Sequence, residues 1–548
     1  MSGENTPVLD IPPGVVRNGT PYSVGQRWWD VNWVRWVNSQ LTPIGGWVKG
    51  RTFGPALGLL GDEWRGMSLD FTANASQVRT ATDEELLLGP GPSVLNVVRD
   101  VFSWRDNLKN AWYAVGMDKT LQVASPSAAI ETIYNITPSG LSNSYSTGRG
   151  YGAGPYGNGR YSDTQGASVD GVGQWSMDNF GRILVAVHTQ DGRLFSWDPV
   201  TPNTIATPVA NAPVDNTLVV VTDERMIMVL GGKNNPRRVK WCDRENMTSW
   251  TPTATNTAGG FELNSSGAII AAVRVQGGIL VITDVDAHII EYVGAPYYYA
   301  RRRLSEEVGC VSKNALVSVT GMAIWLSKEG FWRYDGNVTP LQSPVDEDIL
   351  QNSNLTSPEN VFLGYNAYNR EIWAFYPSQG SSKPDSYVFV SIAGEPYWSK
   401  GKLSRTAWLN PIWDTKPYMY NNEVEYLHEL GSLADGATRV GQIYAQTGEF
   451  EIGNGEQNMR VDRIWPDGSS YNPSTGTTYT SDYQLTFNLR QAPSAPLRTV
   501  GPITLDNDKG YQSTRFRARQ MSVRLEPVAD TSWALGKLRL RMKAGGAR

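Results

Sequence analysis

Short apolar runs alternate with tight polar turns along most of the chain. One clear unit consists of residues 181–188, the turn Asp191-Gly192, and residues 193–197. Asp-Gly between two β-prone runs is typical of a hairpin, because a type I′ turn needs positive φ at both central positions. Similar hairpins are predicted around Glu329-Gly330 and Asn369-Arg370. The pattern therefore predicts antiparallel strands joined by tight turns.

These units recur at intervals typical of a β-propeller. Five apolar runs begin near Ile183, Leu218, Ile279, Ala323 and Phe362. Their steps of 35, 61, 44 and 39 residues bracket the ~40–50 residues of a four-stranded propeller blade. Weaker hairpins at 100–115 and 405–426 raise the expected number to six or seven irregular blades, and the best helix candidate is short, at 82–88. We therefore predict an all-β fold.

The pattern changes in three places, which divide the chain. Residues 1–55 are rich in tryptophan and are predicted to close the propeller or to contact neighbouring subunits. Residues 56–435 are predicted to form the propeller, with a Gly/Tyr-rich loop at about 140–166. Residues 436–548 predict a C-terminal β-sandwich-like domain of short alternating strands, with turns at Asn454-Gly455 and Asp467-Gly468.

Composition narrows the possible functions. The 548 residues include 20 Trp and 25 Tyr against 13 Phe, and aromatic side chains with polar atoms favour half-exposed surfaces and interfaces. The 49 basic and 53 acidic residues give a net charge of −4. No overall cationic field therefore indicates a nucleic-acid-binding protein, and any contact with DNA must be local.

Cysteine usage and hydropathy indicate the compartment. Cys242 and Cys310 are too few for a disulfide framework or a thiolate zinc site, so we expect buried thiols in a reducing compartment. No apolar stretch reaches the ~18 residues of a membrane-spanning helix. The first residues have neither the basic start nor the apolar core of a signal peptide. We therefore expect a protein that does not use the secretory route.

Motifs for catalysis are weak. The three histidines, His188, His288 and His428, lie in no catalytic motif, and we expect structural roles for them. Asp284, Asp286 and His288 alternate and would share one face of a strand, where they could bind a metal, but the same run is also typical of a turn.

Other acidic and glycine-rich stretches are equally indecisive. The loop at 506–510 begins like a calcium site, but Arg517 stands where an EF-hand needs glutamate. The glycines of 148–161 lack the Gly-Lys-Ser/Thr of a nucleotide-binding loop. Carboxylates at 306–307 and 346–348 leave a glycosidase open, because the separation of such a pair is spatial rather than sequential. We predict no catalytic residue, cofactor or metal, and hence no enzyme.

Aromatic and basic clusters are the candidate contact residues. For the interface between subunits the candidates are Trp28, Trp29, Trp33, Trp36, Trp47, Tyr151, Tyr156 and Tyr161. For DNA or an acidic partner they are Arg301, Arg302, Arg303, Arg515, Arg517 and Arg519. Basic residues alternate with others from Arg515 to Lys543, so one strand face there is expected to be cationic while the other packs.

Several segments resemble a known family. The matching segments are residues 11–14, 19–20, 27–28, 32–36 and 43–47 at the start, 240–250, 278–293, 307–310 and 324–326 in the middle, and 449–455, 461–464, 533–536 and 545–548 at the end. Together they resemble the tail hub or tail nozzle proteins of short-tailed bacteriophages, the packaged-DNA stabilisation family. These segments are typical of packed strands and turns and not of catalytic sites. They therefore resemble the family as a whole and do not distinguish a hub from a distal nozzle.

The resemblance implies a structural protein of the virion tail. Such proteins form a hexameric ring below the portal and adaptor, contact tail fibre or tailspike and needle-type proteins, and let double-stranded DNA pass during ejection while retaining the packaged genome. Assembly would take place in the host cytoplasm. The alternatives are a virion propeller that binds or cleaves glycans at the mouth of its channel and, third, a cellular propeller scaffold.

Overall fold

The computed structural model describes eleven segments of the chain. They are residues 8–9, 11–54, 97–127, 132–141, 172–451, 458–472, 477–479, 483–492, 495–505, 510–530 and 532–544. The predicted helix at 82–88, the turn at Asn454-Gly455, and Tyr151, Tyr156 and Tyr161 of the Gly/Tyr-rich loop lie outside the described residues.

The N-terminal segment carries five strands and one helical turn. They are β1 (Val8–Leu9), α1 (Pro21–Val24), β2 (Trp28–Asn32), β3 (Val34–Val37), β4 (Gln40–Pro43) and β5 (Trp47–Thr52). Asn38 and Ser39, both with positive φ, form the two-residue turn between β3 and β4, as a type I′ hairpin requires. Trp33 also has positive φ, and at this residue the chain leaves one sheet and enters another.

Six propeller blades are each built from four consecutive antiparallel strands. Blade one contains β6 (Val98–Arg105), β7 (Ala111–Met117), β8 (Leu121–Ala124) and β9 (Ile133–Asn135). Blade two contains β10 (Trp175–Phe180), β11 (Ile183–His188), β12 (Leu194–Trp197) and β13 (Thr207–Pro208). Blade three contains β14 (Leu218–Val221), β15 (Ile227–Leu230), β16 (Arg238–Trp241) and β17 (Gly259–Glu262).

The next three blades follow the same order. Blade four contains β18 (Ile269–Val275), β19 (Gly278–Thr283), β20 (Ala287–Gly294) and β21 (Tyr298–Ser305). Blade five contains β22 (Leu316–Val319), β23 (Met322–Ser327), β24 (Gly330–Tyr334) and β25 (Val338–Pro340), followed by α2 (Asp346–Asn352) and a 3₁₀ turn at Pro358–Asn360. Blade six contains β26 (Phe362–Asn366), β27 (Glu371–Tyr376), β28 (Ser386–Ser391) and β29 (Trp398–Lys402).

The seventh blade joins the two ends of the propeller. Its first three strands are β30 (Ala407–Leu409), β31 (Tyr418–Asn421) and β32 (Val424–His428), and its fourth is β5 from the N-terminal segment. The innermost strands of neighbouring blades pack side by side, and β30 packs against β6 of blade one. The predicted all-β propeller is confirmed, with seven blades, and the hairpins at Asp191-Gly192, Glu329-Gly330 and Asn369-Arg370 all form.

The remaining strands form a β-sandwich. They are β33 (Tyr444–Thr447), β34 (Phe450–Glu451), β35 (Met459–Asn472), β36 (Thr477–Tyr479), β37 (Tyr483–Arg490), β38 (Arg498–Leu505), β39 (Gln512–Ala518), β40 (Gln520–Pro527) and β41 (Ser532–Ala544). Sheet A has the order β3-β4-β41-β35-β36, with β1 beside β41 and β39 beside β35. Sheet B has the order β2-β33-β40-β37-β38, with β34 beside β40.

The two sheets enclose a common apolar core. The residues of β37 alternate between buried and half-buried positions, which is the pattern of a strand with one face inward. Phe487 of sheet B packs 4.8 Å from Phe516 of sheet A, measured between ring centroids, and Tyr483 meets the edge of Trp533 at 5.7 Å.

The sandwich differs from its sequence-based description in two respects. The strands β1 to β4 belong to its sheets, and of the strands in the Trp-rich segment only β5 pairs within the propeller. Asp467-Gly468 is not a hairpin turn, because β35 continues through it as a bulge between Pro466 and Gly468 while pairing with β41. A bulge absorbs the extra residue without ending the strand.

A buried ionic cluster joins the sandwich to the propeller. Arg35 of β3 donates two hydrogen bonds to Glu429, of 3.0 and 2.6 Å, and its Nη2 donates to Glu371 of β27 at 3.2 Å. Asn366 donates to both carboxylates. A Cβ on Gly45 would lie 2.6 Å from the Cα of Glu429, so glycine is required where the chain passes this cluster.

A second buried ion pair lies beside the first. Arg439 and Asp530 are 1 % and 3 % exposed, and Nη2 lies 3.2 Å from Oδ1. Arg439 also donates through Nη1 to the carbonyl oxygen of Ile44 at 2.8 Å. The pair therefore links the residues before β33, the connection from β40 to β41, and the residues just before β5.

Trp47 holds the closing strand in place. Its ring stacks on His428 at 5.2 Å and meets the edge of Trp33 at 5.1 Å, while the guanidinium of Arg405 lies 5.3 Å from its centroid. The next residue, Val48, is 49 % exposed on the opposite face of the strand.

Replacing Trp47 should therefore weaken the closure of the propeller. We expect Trp47→Ala to lower the free energy of unfolding by ~3–5 kcal/mol, because a buried aromatic is lost from a packed site. The matched control Val48→Ala on the same strand should change it by less than ~0.5 kcal/mol. Urea unfolding measures both, and equal effects of the two variants would contradict this role of Trp47.

The ionic cluster predicts a pH dependence. Burial raises the pKa of Glu371 to about 7, although Arg35 opposes this, while Arg35 holds the pKa of Glu429 below its usual value despite burial. An acid whose pKa is raised in the folded state stabilises the fold at low pH and loses that contribution as pH rises through the folded pKa. The cluster should therefore weaken between pH 5 and 8.

We expect Glu371→Gln to gain stability relative to the unchanged chain as pH rises over this window. The gain should be on the order of 3 kcal/mol, because each unit of pKa difference corresponds to ~1.4 kcal/mol. Urea unfolding at pH 5 and pH 8 measures it, with the exposed Glu395→Gln as control. Parallel pH profiles for the unchanged chain and Glu371→Gln would contradict the assignment.

Candidate functional site: the propeller axis and a cationic sheet face

The innermost strands of all seven blades surround a cavity of about 310 Å³ on the propeller axis. Its lining combines apolar and charged residues. The apolar ones include Val101, Met177, Val219, Val273 and Leu363, and the charged ones are Arg99, Asp100, Asp178, Arg274 and Lys313.

Lys313 crosses the axis at one end of the cavity. It precedes β22 of blade five, and its Nζ lies 2.5 Å from Asp100 Oδ1 on blade one and 2.5 Å from the carbonyl oxygen of Trp175 on blade two. Asn314 donates to the same Asp100 oxygen at 2.7 Å, and the backbone N–H of Trp175 donates to the other oxygen. The loop before blade five is therefore tied to the opposite side of the ring.

A second ion pair lies further along the axis. Arg274 of blade four donates to Asp178 of blade two at 3.0 Å and to the carbonyl oxygen of Val221 at 3.1 Å. The backbone N–H of Val221 donates back to Asp178 at 2.8 Å. Burial raises the pKa of Asp178 even though Arg274 favours its ionised form.

These bonds limit what could pass along the propeller axis or react there. A DNA double helix, whose major groove alone is ~12 Å wide, does not fit a cavity that Lys313 spans. Asp100 and Asp178 each have a basic partner and backbone donors. Both carboxylates therefore act as braces between blades.

Removing the Lys313 brace should destabilise the ring. We expect Lys313→Met to lower the free energy of unfolding by about 3 kcal/mol, at the lower end of the range for a broken buried pair because Asp100 keeps two other donors. Lys383→Met, which changes an exposed lysine in the same way, is the control. A Lys313→Met variant as stable as this control would show that the axis is not braced there.

The other sequence candidates for catalysis are structural or exposed. His188, His288 and His428 are all buried, and burial lowers the pKa values of His188 and His428. Both cysteines are free buried thiols, and burial raises their pKa values to about 11 for Cys242 and about 12 for Cys310.

The run 284–288 contains the turn between β19 and β20 and the first two residues of β20, Ala287 and His288. Asp286 accepts hydrogen bonds from Ser265 and Thr283, which hold its pKa below the usual value although burial opposes this, and it lies 3.1 Å from His288 Nε2. Asp284 is exposed and accepts from the backbone of Ala268. In the described part of the chain, no three histidine, cysteine or carboxylate side chains are grouped as a metal site needs.

The acidic run 346–348 is part of the joint between the domains. Asp348 accepts from Arg17 at 3.1 Å and from Lys400 at 2.6 Å, and these partners lower its pKa although burial opposes this. Burial raises the pKa of Asp346 to about 6. At 306–307, Glu306 pairs with Arg303 at 2.7 Å on the surface.

Three of the tryptophans proposed for the subunit interface are inside the chain. Trp28, Trp36 and Trp47 are 5 %, 4 % and 6 % exposed, and they pack against aromatic neighbours of the same chain. Within one chain these three side chains are part of the core, and Trp47 lies on the strand that closes the propeller, while a contact between subunits stays a prediction. Trp29 and Trp33 are half-buried, with Arg17 stacked 4.2 Å above Trp29.

Arg301, Arg302 and Arg303 are exposed on β21, the outer strand of blade four. Each has a neighbour of its own. Arg301 lies 4.8 Å over the ring of Phe261, Arg302 lies 3.5 Å from Glu291, and Arg303 pairs with Glu306. Their charge is therefore partly offset within the blade.

Sheet A of the sandwich carries a more concentrated charge. Buried and outward positions alternate along β39 and β41, so basic residues share the face turned away from the core. We call the cationic face the set Arg460, Arg463, Arg515, Arg517, Lys537, Arg539, Arg541 and Lys543. Arg519, also a candidate from the sequence, lies in the bend between β39 and β40. The alternation between Arg515 and Lys543 indicated part of this set in the sequence.

The contribution of β35, the central strand of this face, was not predicted from the sequence. In the strand register, Arg460 lies opposite Arg517 of β39 on one side and opposite Lys543 of β41 on the other. Arg463 lies opposite Arg541 of β41. These neighbours are up to 83 residues away along the chain, from Arg460 to Lys543. Only strand order brings them together, and no local pattern indicates it.

No helix in the described segments is long and apolar enough to cross a membrane. No protein-family model matches the chain, and no curated protein matches it.

Solved β-propellers do resemble the fold. Virginiamycin B lyase from Staphylococcus aureus is 7 % identical, with 62 % of this chain and 97 % of that chain covered and a TM-score of 0.36. The Swd1 β-propeller domain from Myceliophteria thermophila is 8 % identical, covering 59 % and 95 % with a TM-score of 0.35. PorZ from Porphyromonas gingivalis is 10 % identical, covering 82 % and 59 % with a TM-score of 0.37. At these identities the likeness concerns the fold alone.

Proposed function

We propose that this protein is a structural subunit of a short-tailed phage tail, a hub or nozzle that forms a ring below the portal and adaptor. The proposal starts from the resemblance of segments at both ends and in the middle of the chain to that family. The ring would be a hexamer, would retain the packaged genome, and would form part of the conduit for its ejection.

The observation that carries the proposal is the cross-bracing of the propeller axis. Lys313, Asp100, Arg274 and Asp178 are engaged in bonds between blades. Such bonds favour a rigid body over a reactive site, because charged groups held by good partners are costly to rearrange. A rigid subunit suits a wall that contains DNA under pressure.

The axis also constrains where DNA would travel. Because Lys313 spans the propeller cavity, the conduit would lie between subunits, on the axis of the ring. The slight overall negative charge favours passage, since a wall that bound phosphates throughout would hold the DNA. Tail fibre, tailspike and needle-type proteins would dock on the outside.

A glycan-binding or glycan-cleaving propeller is the weaker alternative. It would require free carboxylates or an open channel mouth, whereas Asp100 and Asp178 are both paired with bases. A cellular propeller scaffold would share the same rigid body but would occur outside virions.

Assembly state tests the proposal. We expect the purified full-length chain, at 60.4 kDa per copy, to form a closed ring of six copies in native mass spectrometry and in cryo-EM class averages. Antibodies against the chain should label the tails of intact virions. A protein that stays monomeric at high concentration and is absent from particles would overturn the proposal, and sugar release from host polysaccharide would favour the glycan alternative.

A further inference from the structure

We propose that the cationic face binds the phosphate backbone of duplex DNA without reading its sequence. This inference goes beyond the ring and does not depend on it, because one folded chain carries the whole face. It rests on the placement of the basic residues across three paired strands of sheet A.

The basic residues lie closer together than folding alone would favour. Arg460, Arg517 and Lys543 are in register on three adjacent strands, with Arg463 and Arg541 paired next to them. Neighbouring strands are ~4.8 Å apart, and like charges directly opposite each other are destabilising. A face that keeps such rows is suited to a ligand with closely spaced negative charges.

Two carboxylates lie on the three central strands of this face in the part of the chain that the structure describes. They are Asp462, which accepts from Arg541, and exposed Asp467 at the bulge. The Nε of Arg460 is buried and has no hydrogen-bond partner. One donor of the central strand is therefore left unused within the sheet.

The composition of the face favours phosphate over an acidic protein. Six of its eight cations are arginines, whose planar guanidinium matches phosphate oxygens in a bidentate manner. The cores of protein interfaces are depleted of charged residues, whereas the centre of this face consists of them. The nearest aromatic pair, Trp465 and Tyr511, lies at its edge, with Arg463 stacked 4.8 Å from Tyr511.

The shape of the cationic face favours binding of duplex DNA without recognition of its base sequence. Three strands are ~10 Å across, and the seven residues from Met459 to Trp465 extend ~20 Å. Duplex DNA presents about one charge per ~1.7 Å of axis, so such a face meets several phosphates at once. Base edges are read in the major groove by a helix or a two-stranded ribbon, and a flat sheet face does not enter it.

Fluorescence anisotropy with a labelled 30-base-pair duplex tests the proposal with the full-length chain. We expect binding that is equal for unrelated sequences and weakens steeply between 50 and 200 mM salt. The combined variant Arg460→Gln, Arg517→Gln and Lys543→Gln should bind at least tenfold more weakly and show a shallower salt dependence. The matched control Arg301→Gln, Arg302→Gln and Arg303→Gln removes the same charge from blade four and should bind within twofold of the unchanged chain.

The other possible outcomes would overturn the proposal or assign the face to a different ligand. Absence of binding at 50 mM salt, or equal losses in the two triple variants, would overturn the proposal. Polyglutamate that binds as tightly as DNA and loses affinity in the same variant would assign the face to an acidic protein instead. If the combined variant does not fold, the exposed single variant Arg515→Gln should still reduce the salt dependence. Native mass measured in parallel reports the ring, so loss of DNA binding with an intact ring refutes only this inference.

Discussion

The fold depends on one short segment that belongs to three sheets. Between Trp28 and Thr52 the chain supplies β2 to sheet B, β3 and β4 to sheet A, and β5 to blade seven. β5 pairs with β32, which begins at Val424, so the propeller closes only after almost all of its chain has been made. Because the same segment carries Arg35 into the buried cluster with Glu371 and Glu429, closure of the propeller and docking of the sandwich depend on the same residues. Such non-local pairing makes folding slow and cooperative.

Because one segment contributes strands to both the propeller and the sandwich, the two parts are held together without needing a large interface between separate domains. Arg35 alone would be an unfavourable buried charge, and Glu371 and Glu429 together would repel each other, so each group is stable only when the other parts are in place. The same logic applies at the axis, where Lys313 links blades one, two and five through Asp100 and Trp175. Apolar packing forms each blade, while a few buried polar groups specify how the blades and the sandwich fit together.

Much of the fold could be predicted from the sequence, because hairpins are local. The turns at Asp191-Gly192 and Asn369-Arg370 were predicted from their own residues. The predicted blades were irregularly spaced because the five apolar runs included both innermost and second strands of blades. Ile183, Ile279 and Ala323 lie on second strands, whereas Leu218 and Phe362 lie on innermost ones. Counted from innermost strands, at Leu218, Ile269, Leu316, Phe362 and Ala407, the steps are 51, 47, 46 and 45 residues. The closing strand, the ionic joint and β35 of the cationic face could not be predicted, because their partners are set by strand order and not by nearby residues.

The distribution of charge separates two roles that the net charge of −4 conceals. Charges at the axis and at the joint are buried in pairs, so they stabilise the body and present little field to the solvent. Charges of the cationic face stand outward on three strands of sheet A and are repeated in register, so their fields add. In the role that we propose, a polyanion would therefore be attracted to this one face, while the paired charges of the axis and the joint would contribute little to its binding.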